Sequence, residues 1–347
     1  MKDENDRLLE GTLPSDPTAD AEPMMSPAQK ELRDGAPAVG DLVAEALGRM
    51  RRRAQGIEKP IPLPWEHLGE RLSGGLWPGC HVLVGNTGTG KSQWALQAVL
   101  HAARQGVPCL YVGLELGKVD LVARLLGLMS NKRWSRLYLG ADGGELEEVT
   151  QRHQAELEKL PIHLATPDSF GWSYGQLGPA ARLLAANYPD QDRMLVVVDY
   201  LQLVASPKDK PGQSIRERIG AASYAARDVA RKHNASVLLL SSTARNNYEL
   251  VGGQTSGSKE KPAWERPAGT MVGLGKESGE VEFSADTVLA LVREPWGEGD
   301  PPTETTMHLA LAKQRIGATS WLKLKFNGGR FREQYNQPKE RALGSEK

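Results

Sequence analysis

The sequence predicts an α/β fold built on a mostly parallel central sheet. Three observations carry that expectation. Met194-Leu195-Val196-Val197-Val198 and Ser236–Leu240 are continuous apolar runs, the pattern of strands covered on both faces. Strand-type runs alternate with helical periods along most of the chain, as parallel βαβ units require. Finally, Gly85-Asn86-Thr87-Gly88-Thr89-Gly90-Lys91-Ser92 stands between an apolar run and a helical period. Strand, glycine loop and helix in that order form a cradle for phosphate.

Residues 1–36 are polar, rich in Pro, Asp and Ala, and without a sustained period, so an acidic disordered tail is expected there. Residues 1–35 set four cations against nine carboxylates, a net of −5. The whole chain is neutral, so the remainder carries +5, a weak indication of a polyanionic partner. Val39, Leu42, Val43, Ala46, Leu47 and Met50 lie on one stripe of a helix over Val39–Arg53, closed by three arginines that suit a helix C-terminus. Pro60, Pro62 and Pro64 make a stiff connector, so residues 37–64 read as a lead-in. Its apolar stripe suits either this chain's own core or a neighbouring subunit.

The core is expected over residues 65–333, beginning with the strand His81–Val84 and a helix from Gln93 to Arg104. A strand over Val107–Leu114 ends at Glu115 and precedes a helix over Val119–Met129. Gly143–Leu160 reads as a charged helix, Ile162–Ala165 as a short strand, Gln176–Asn187 and Ile215–Lys232 as helices. Asn246–Lys276 has no period and several Gly and Pro, and a loop of that length is usually functional or disordered. The end is β-rich: Thr287–Val292, Met307–Ala312, Ser320–Phe326 and Arg330–Arg332, the last two joined by the turn Asn327-Gly328-Gly329. Residues 334–347 read as a flexible tail.

Composition excludes several classes. The chain has no run of eighteen apolar residues, and its acidic N-terminus lacks the apolar stretch of a secretory signal. Cys80 and Cys109 lie in or beside strands and read as buried thiols in a reducing cytosol. The seven histidines form no close pair at ligand spacing, so no zinc is expected.

The loop Gly85–Ser92 turns its backbone N–H groups and the positive helix end on one anion. Lys91 would reach the β- and γ-phosphates of ATP, and the Ser92 hydroxyl would hold Mg²⁺. Asp199 ends a buried strand, where a carboxylate either binds the metal or caps the next element; behind a phosphate loop the metal role dominates. Glu115 also ends a strand, at the edge that lines the ligand crevice, where it could orient the attacking water.

At this point the motifs resemble replicative DNA helicases of the DnaB type. Asp199-Tyr200-Leu201-Gln202-Leu203 is similar to that family's Asp-Tyr-Leu-Gln signature, and Leu114-Glu115-Leu116 stands at its Ser-Leu-Glu-Met segment, whose Glu is the catalytic base. Lys276-Glu277-Ser278-Gly279 with Ala285-Asp286 resembles the stretch that touches the DNA backbone, which implies DNA contact at Lys276, Glu277 and Gly279. Lys313-Gln314-Arg315 resembles the Lys-Gln-Arg whose two cations reach the neighbouring subunit's γ-phosphate. Phe326 to Phe331 is similar to the closing strands. The resemblance implies a RecA-like ATPase core, hydrolysis of ATP with Mg²⁺, single-stranded DNA as partner, a homo-oligomeric hexameric ring, and contacts with a loader or other replication proteins. Two departures stand out. The phosphate loop is closer to RecA-like ATPases generally, and Ser241-Ser242-Thr243 puts the shorter Ser242 where the family has a γ-phosphate-sensing Gln. About sixty residues precede the core, too few for the family's primase-recruiting N-terminal domain. Read without the resemblance, Lys313 and Arg315 are equally solvated cations at a strand end. Two other functions stay open: a RecA- or KaiC-like ATPase in recombination or signalling, and a nucleotide-gated assembly factor without helicase activity.

Overall fold

The computed structural model describes residues 26–140, 143–166, 172–205, 212–244, 261–275, 279–295 and 302–334. The chain divides into two units, residues 1–58 and residues 59–347.

In the first unit, α1 (Pro27–Gly35) and α2 (Val39–Ala54) are helices. The stretch in α1 was expected to belong to the disordered tail. Pro27 at the helix start and the good helix formers Ala28, Lys30, Glu31 and Leu32 give it a local reason to wind. Residues 1–25 lie outside the described part. In α2 the expected stripe is present, and Val39, Leu42, Val43, Leu47 and Met50 are exposed. Its arginines turn back on Glu58, with Arg49 Nη2 and Arg53 Nη2 at 3.0 and 2.8 Å from Oε1.

The second unit is organised by one nine-stranded sheet. In chain order its elements are α3 (Glu66–Arg71), β1 (Gly79–Gly85), α4 (Lys91–Arg104), β2 (Cys109–Gly113), α5 (Lys118–Ser130), α6 (Trp134–Leu139), α7 (Glu145–Leu157) and β3 (Ile162–Ala165). Then follow α8 (Leu177–Asn187), β4 (Met194–Asp199), α9 (Ile215–Lys232), β5 (Ala235–Ser242) and α10 (Gly279–Ser284). The last strands are β6 (Thr287–Arg293), β7 (Thr305–Gln314), β8 (Ser320–Phe326) and β9 (Phe331–Glu333). The strand order is β3-β2-β4-β5-β1-β6-β7-β8-β9. β3 through β6 in that order are parallel, and β6 to β9 are paired antiparallel.

Every residue of β1, β2 and β4 is buried, as the continuous apolar runs demand. Successive side chains enter two core layers. Cys80, Val82, Val196 and Val198 pack on the α8 and α9 side, and Leu83, Leu195 and Val197 pack with Trp94, Leu121 and Leu125 of α4 and α5. Both cysteines are buried free thiols, as expected. Among the described residues, no helix is long and apolar enough to cross a membrane.

The proline connector is packed: Ile61 and Leu63 are buried, and Ile61 exchanges backbone hydrogen bonds with Leu76. Alternation of Ile61, Leu63 and Trp65 with prolines makes an extended segment with one apolar face, which the core accepts. The returning half of the long loop, residues 261–275, packs on the core. Ala263, Ala268, Met271 and Leu274 are buried, and Trp264 stacks on His308 of β7 with ring centroids 4.5 Å apart. Residues 245–260 and Lys276 lie outside the described part.

The closing strands are fastened to the helix behind the glycine loop. The Gln97 side chain accepts from Phe331 N and donates to Phe331 O, both at 2.9 Å, and Gln93 Nε2 donates to Gly329 O at 2.6 Å. Glu333 accepts from His67 N and Leu68 N, closing the start of α3. The turn forms as its sequence predicts, with Gly328 at φ +80° and Asn327 Oδ1 accepting from Gly329 N and Arg330 N.

Candidate active site

The parallel strands end on one edge of the sheet, where ligands of such folds bind. Gly85 ends β1, Gly113 ends β2 with Glu115 just beyond, Asp199 ends β4 and Ser242 ends β5. These termini surround an open cleft lined by Thr87, Gly88, Gly90, Lys91, Ser92, Glu115, Asp199 and Ser242. Residues from four separated stretches of sequence are thereby brought together.

The loop has the backbone that its glycines permit. Gly88 and Gly90 stand at φ +78° and +88°, the left-handed region that disfavours other residues. Gly90 is also closely covered, since a Cβ there would meet Phe331 Cζ at 2.9 Å and Phe326 Cζ at 3.0 Å. α4 starts directly after it, with Trp94 N donating to Gly90 O at 2.8 Å. The positive helix end and loop N–H groups then face the cleft.

Lys91 Nζ donates to the carbonyls of Gly85 at 2.7 Å and Asn86 at 3.0 Å. Burial pushes its ammonium down to about 8, against the pull of Asp199 and Glu115. Asp199 is itself buried. Burial raises its carboxyl above the usual range, opposed by hydrogen bonds from Tyr111 and Ser92 and by the charges of Lys91 and Arg124. Glu115 is exposed on the cleft wall, open to water.

The cleft also contains Arg124 and Trp134, which the motifs did not name. Arg124 of α5 lies with its guanidinium 3.9 Å from the centre of the Trp134 ring, and both line the cleft with Phe326 and Gly328. Burial lowers the Arg124 pKa, while Tyr111, Asp120, Asp199 and Glu115 hold it up, so it faces the carboxylates of the site. The signal in the sequence is faint: an arginine beside the buried stripe Leu121, Leu125 and Leu128 of α5. Gln202 joins the strand ends from the side, donating to Ser241 Oγ at 2.9 Å and accepting from Ser242 N at 3.3 Å.

Lys313 and Arg315 do not line this cleft. Lys313 Nζ donates to Glu282 O at 3.1 Å. Arg315 Nη1 pairs with Asp286 Oδ1 at 3.0 Å, while its N–H donates to Asp286 O. The two cations therefore rest on the end of α10, and Asp286 also accepts from Cys80 N at 2.8 Å. Lys276 and Glu277 lie outside the described residues, and Gly279 begins α10.

The residues present fit a hard divalent cation. Mg²⁺ takes few protein oxygens beside those of phosphate, and Ser92 with Asp199 offers one hydroxyl and one buried carboxylate. Among the described residues, no cluster of three or more His, Cys, Asp or Glu could cage a metal.

Comparison with known proteins gives one family. The model of the DnaB-like helicase C-terminal domain matches residues 65–334. A replicative DNA helicase DnaB of Leifsonia xyli is 26% identical over 279 residues, covering 80% of this chain and 56% of the relative. One of Haemophilus influenzae is 22% identical over 262 residues, covering 75% and 52%. The chain thus spans about half the length of these relatives. Among solved structures, the ATPase domain of G40P is similar with a TM-score of 0.70 at 20% identity, covering 84% of this chain and 99% of that one. A DnaB-like replicative helicase described with its interactions with primase gives 0.68 at 19% identity, covering 85% and 66%. At these identities the likeness concerns the fold alone.

Proposed function

The chain belongs to the DnaB-like helicase C-terminal domain family, and on that premise we propose that it is an ATP-hydrolysing, ring-forming motor on single-stranded DNA in replication. The observation that carries this reading is the convergence of Lys91, Ser92, Glu115 and Asp199 on one cleft at the sheet edge.

The loop amides and Lys91 bind the phosphates of ATP, with Lys91 placing its charge on the β- and γ-oxygens. Ser92 and Asp199 would hold Mg²⁺, which would supply positive charge against the phosphate oxygens. Glu115 orients a water in line with the γ-phosphate and takes its proton. Positioning and charge neutralisation account for most of the acceleration in phosphoryl transfer, which requires little covalent help from the protein. Lys313 and Arg315 serve the γ-phosphate of the adjacent subunit, a reading compatible with their absence from the lining of this chain's own cleft. The apolar stripe of α2 suits docking of the lead-in helix on a neighbouring protomer of the ring. Lys276, with the backbone N–H groups of Glu277 and Gly279, contacts DNA phosphates, so binding is sequence-tolerant and weakens steeply with salt.

The test is ATPase activity with and without a single-stranded oligonucleotide, together with strand displacement from a forked duplex. The proposal expects stimulated hydrolysis and displacement. Stimulation without displacement would point instead to a RecA- or KaiC-like ATPase, and neither activity to an assembly factor.

A further inference from the structure

β2 brings to the cleft a group that lies in none of the loop motifs. Tyr111 is wholly buried in the middle of that strand. β2 and β4 pair in parallel with Tyr111 opposite Val197 and Gly113 opposite Asp199. Side chains two residues apart share a face, so Tyr111 and Asp199 point into the same layer and the long phenol reaches the carboxylate diagonally. Tyr111 Oη donates to Asp199 Oδ2 at 2.5 Å. Ser92, at the first turn of α4, lines the cleft with Asp199, so the phenol sits behind one of the two oxygens offered to the metal.

We infer that Tyr111 is a positioning residue for the metal carboxylate. Its O–H occupies Oδ2 and fixes the rotamer of Asp199, which would leave Oδ1 available to a bound cation or its water. A carboxylate that ligates a metal gains orientation and basicity from such an outer partner. A short bond to a charged acceptor, shielded from water, is strong enough to hold that orientation. This rests on the assignment of Ser92 and Asp199 to Mg²⁺. A merely structural bond satisfying a buried phenol predicts a loss of stability with no specific effect on the metal.

The variant is Tyr111→Phe, which keeps the ring and removes only Oη. Mn²⁺ replaces Mg²⁺ as the probe, and its binding to the protein–ADP complex is titrated by electron paramagnetic resonance of the free ion. ADP affinity in the presence of a chelator is measured in parallel, and reports that the cleft has folded. The expected result is a fall in Mn²⁺ affinity of about 10-fold or more, as loss of an outer partner typically causes, with metal-free ADP affinity unchanged within about twofold. Mn²⁺ affinity within about twofold of wild type overturns the inference. Loss of metal-free ADP binding as well assigns Tyr111 to the folding of the cleft and overturns it equally. Asp199→Asn separates the underlying assignment: if that variant keeps full Mn²⁺ affinity, the metal role of Asp199 fails. If it loses affinity while Tyr111→Phe does not, only the role of Tyr111 fails.

Discussion

Gly90→Ala tests whether the phosphate loop is shaped from within or braced from outside. At φ +88° an alanine costs about 1–2 kcal/mol in backbone strain. Its Cβ would also lie 2.9 Å from Phe331 Cζ and 3.0 Å from Phe326 Cζ. Those rings are stacked with centroids 4.2 Å apart, and Phe331 is held by Gln97 at both its N–H and its carbonyl, so the pair has little room to yield. Overpacking of this kind adds about 1–3 kcal/mol. The sum, about 2–5 kcal/mol, corresponds to a fall in melting temperature of about 3–8 °C for a body of this size. Gly88→Ala is the matched control, because its φ is also positive at +78° but nothing lies within 4 Å of the added carbon. It should show the backbone cost alone. Thermal melts of both variants, with and without ATP and Mg²⁺, give the comparison. Gly90→Ala should melt well below Gly88→Ala and lose stabilisation by nucleotide, because Gly90 opens the helix that carries Lys91 and Ser92. Equal melting temperatures for the two variants would refute the bracing by the closing strands.

Three further outcomes follow from the same geometry. Glu115→Gln should bind ATP normally and lose about 10²–10⁴ in turnover, measured by phosphate release; near-normal turnover removes Glu115 from the mechanism. Lys91→Ala and Arg315→Ala, each inactive alone, should regain part of the ATPase activity when mixed if Arg315 acts across a subunit boundary, whereas co-assembled but dead mixtures would place it in cis. His308 gives a pH dependence: burial lowers its pKa, against the pull of Glu294 at 2.6 Å. Below about 6.5 the unfolded chain binds a proton that the folded chain resists, so stability falls as pH drops from there toward the folded value. Melting curves of His308→Phe should be flatter across that window, and an unchanged slope would exclude His308 as the source.

Much of the fold was legible because its causes are local. The helix Ile215–Lys232 and the strands Met194–Asp199 and Ser320–Phe326 have the bounds that their periods predicted. A chain segment that must bury both faces writes an unbroken apolar run, and one that buries a stripe writes a period of 3.6. The glycine loop was equally readable, since positive φ and close approach leave few residue choices. The short helix Trp134–Leu139 was not legible, being too short to show a period. Nor was the burial of Ile61 and Leu63, which depends on the partner Leu76 across the turn.

For the site, the sequence alone supplied Lys91, Ser92, Glu115 and Asp199, because each stands at a motif position or a strand end. Tyr111, Arg124 and Trp134 carry no such mark. Tyr111 reads as one more aromatic in a buried strand until the register of β2 on β4 sets its hydroxyl against Asp199. Arg124 reads as a surface cation until α5 lays it over Trp134 at the rim of the cleft. Local pattern reports what a segment must do with its own backbone and faces. Which side chains from distant segments meet is decided by strand order and register, and those are properties of the assembled sheet.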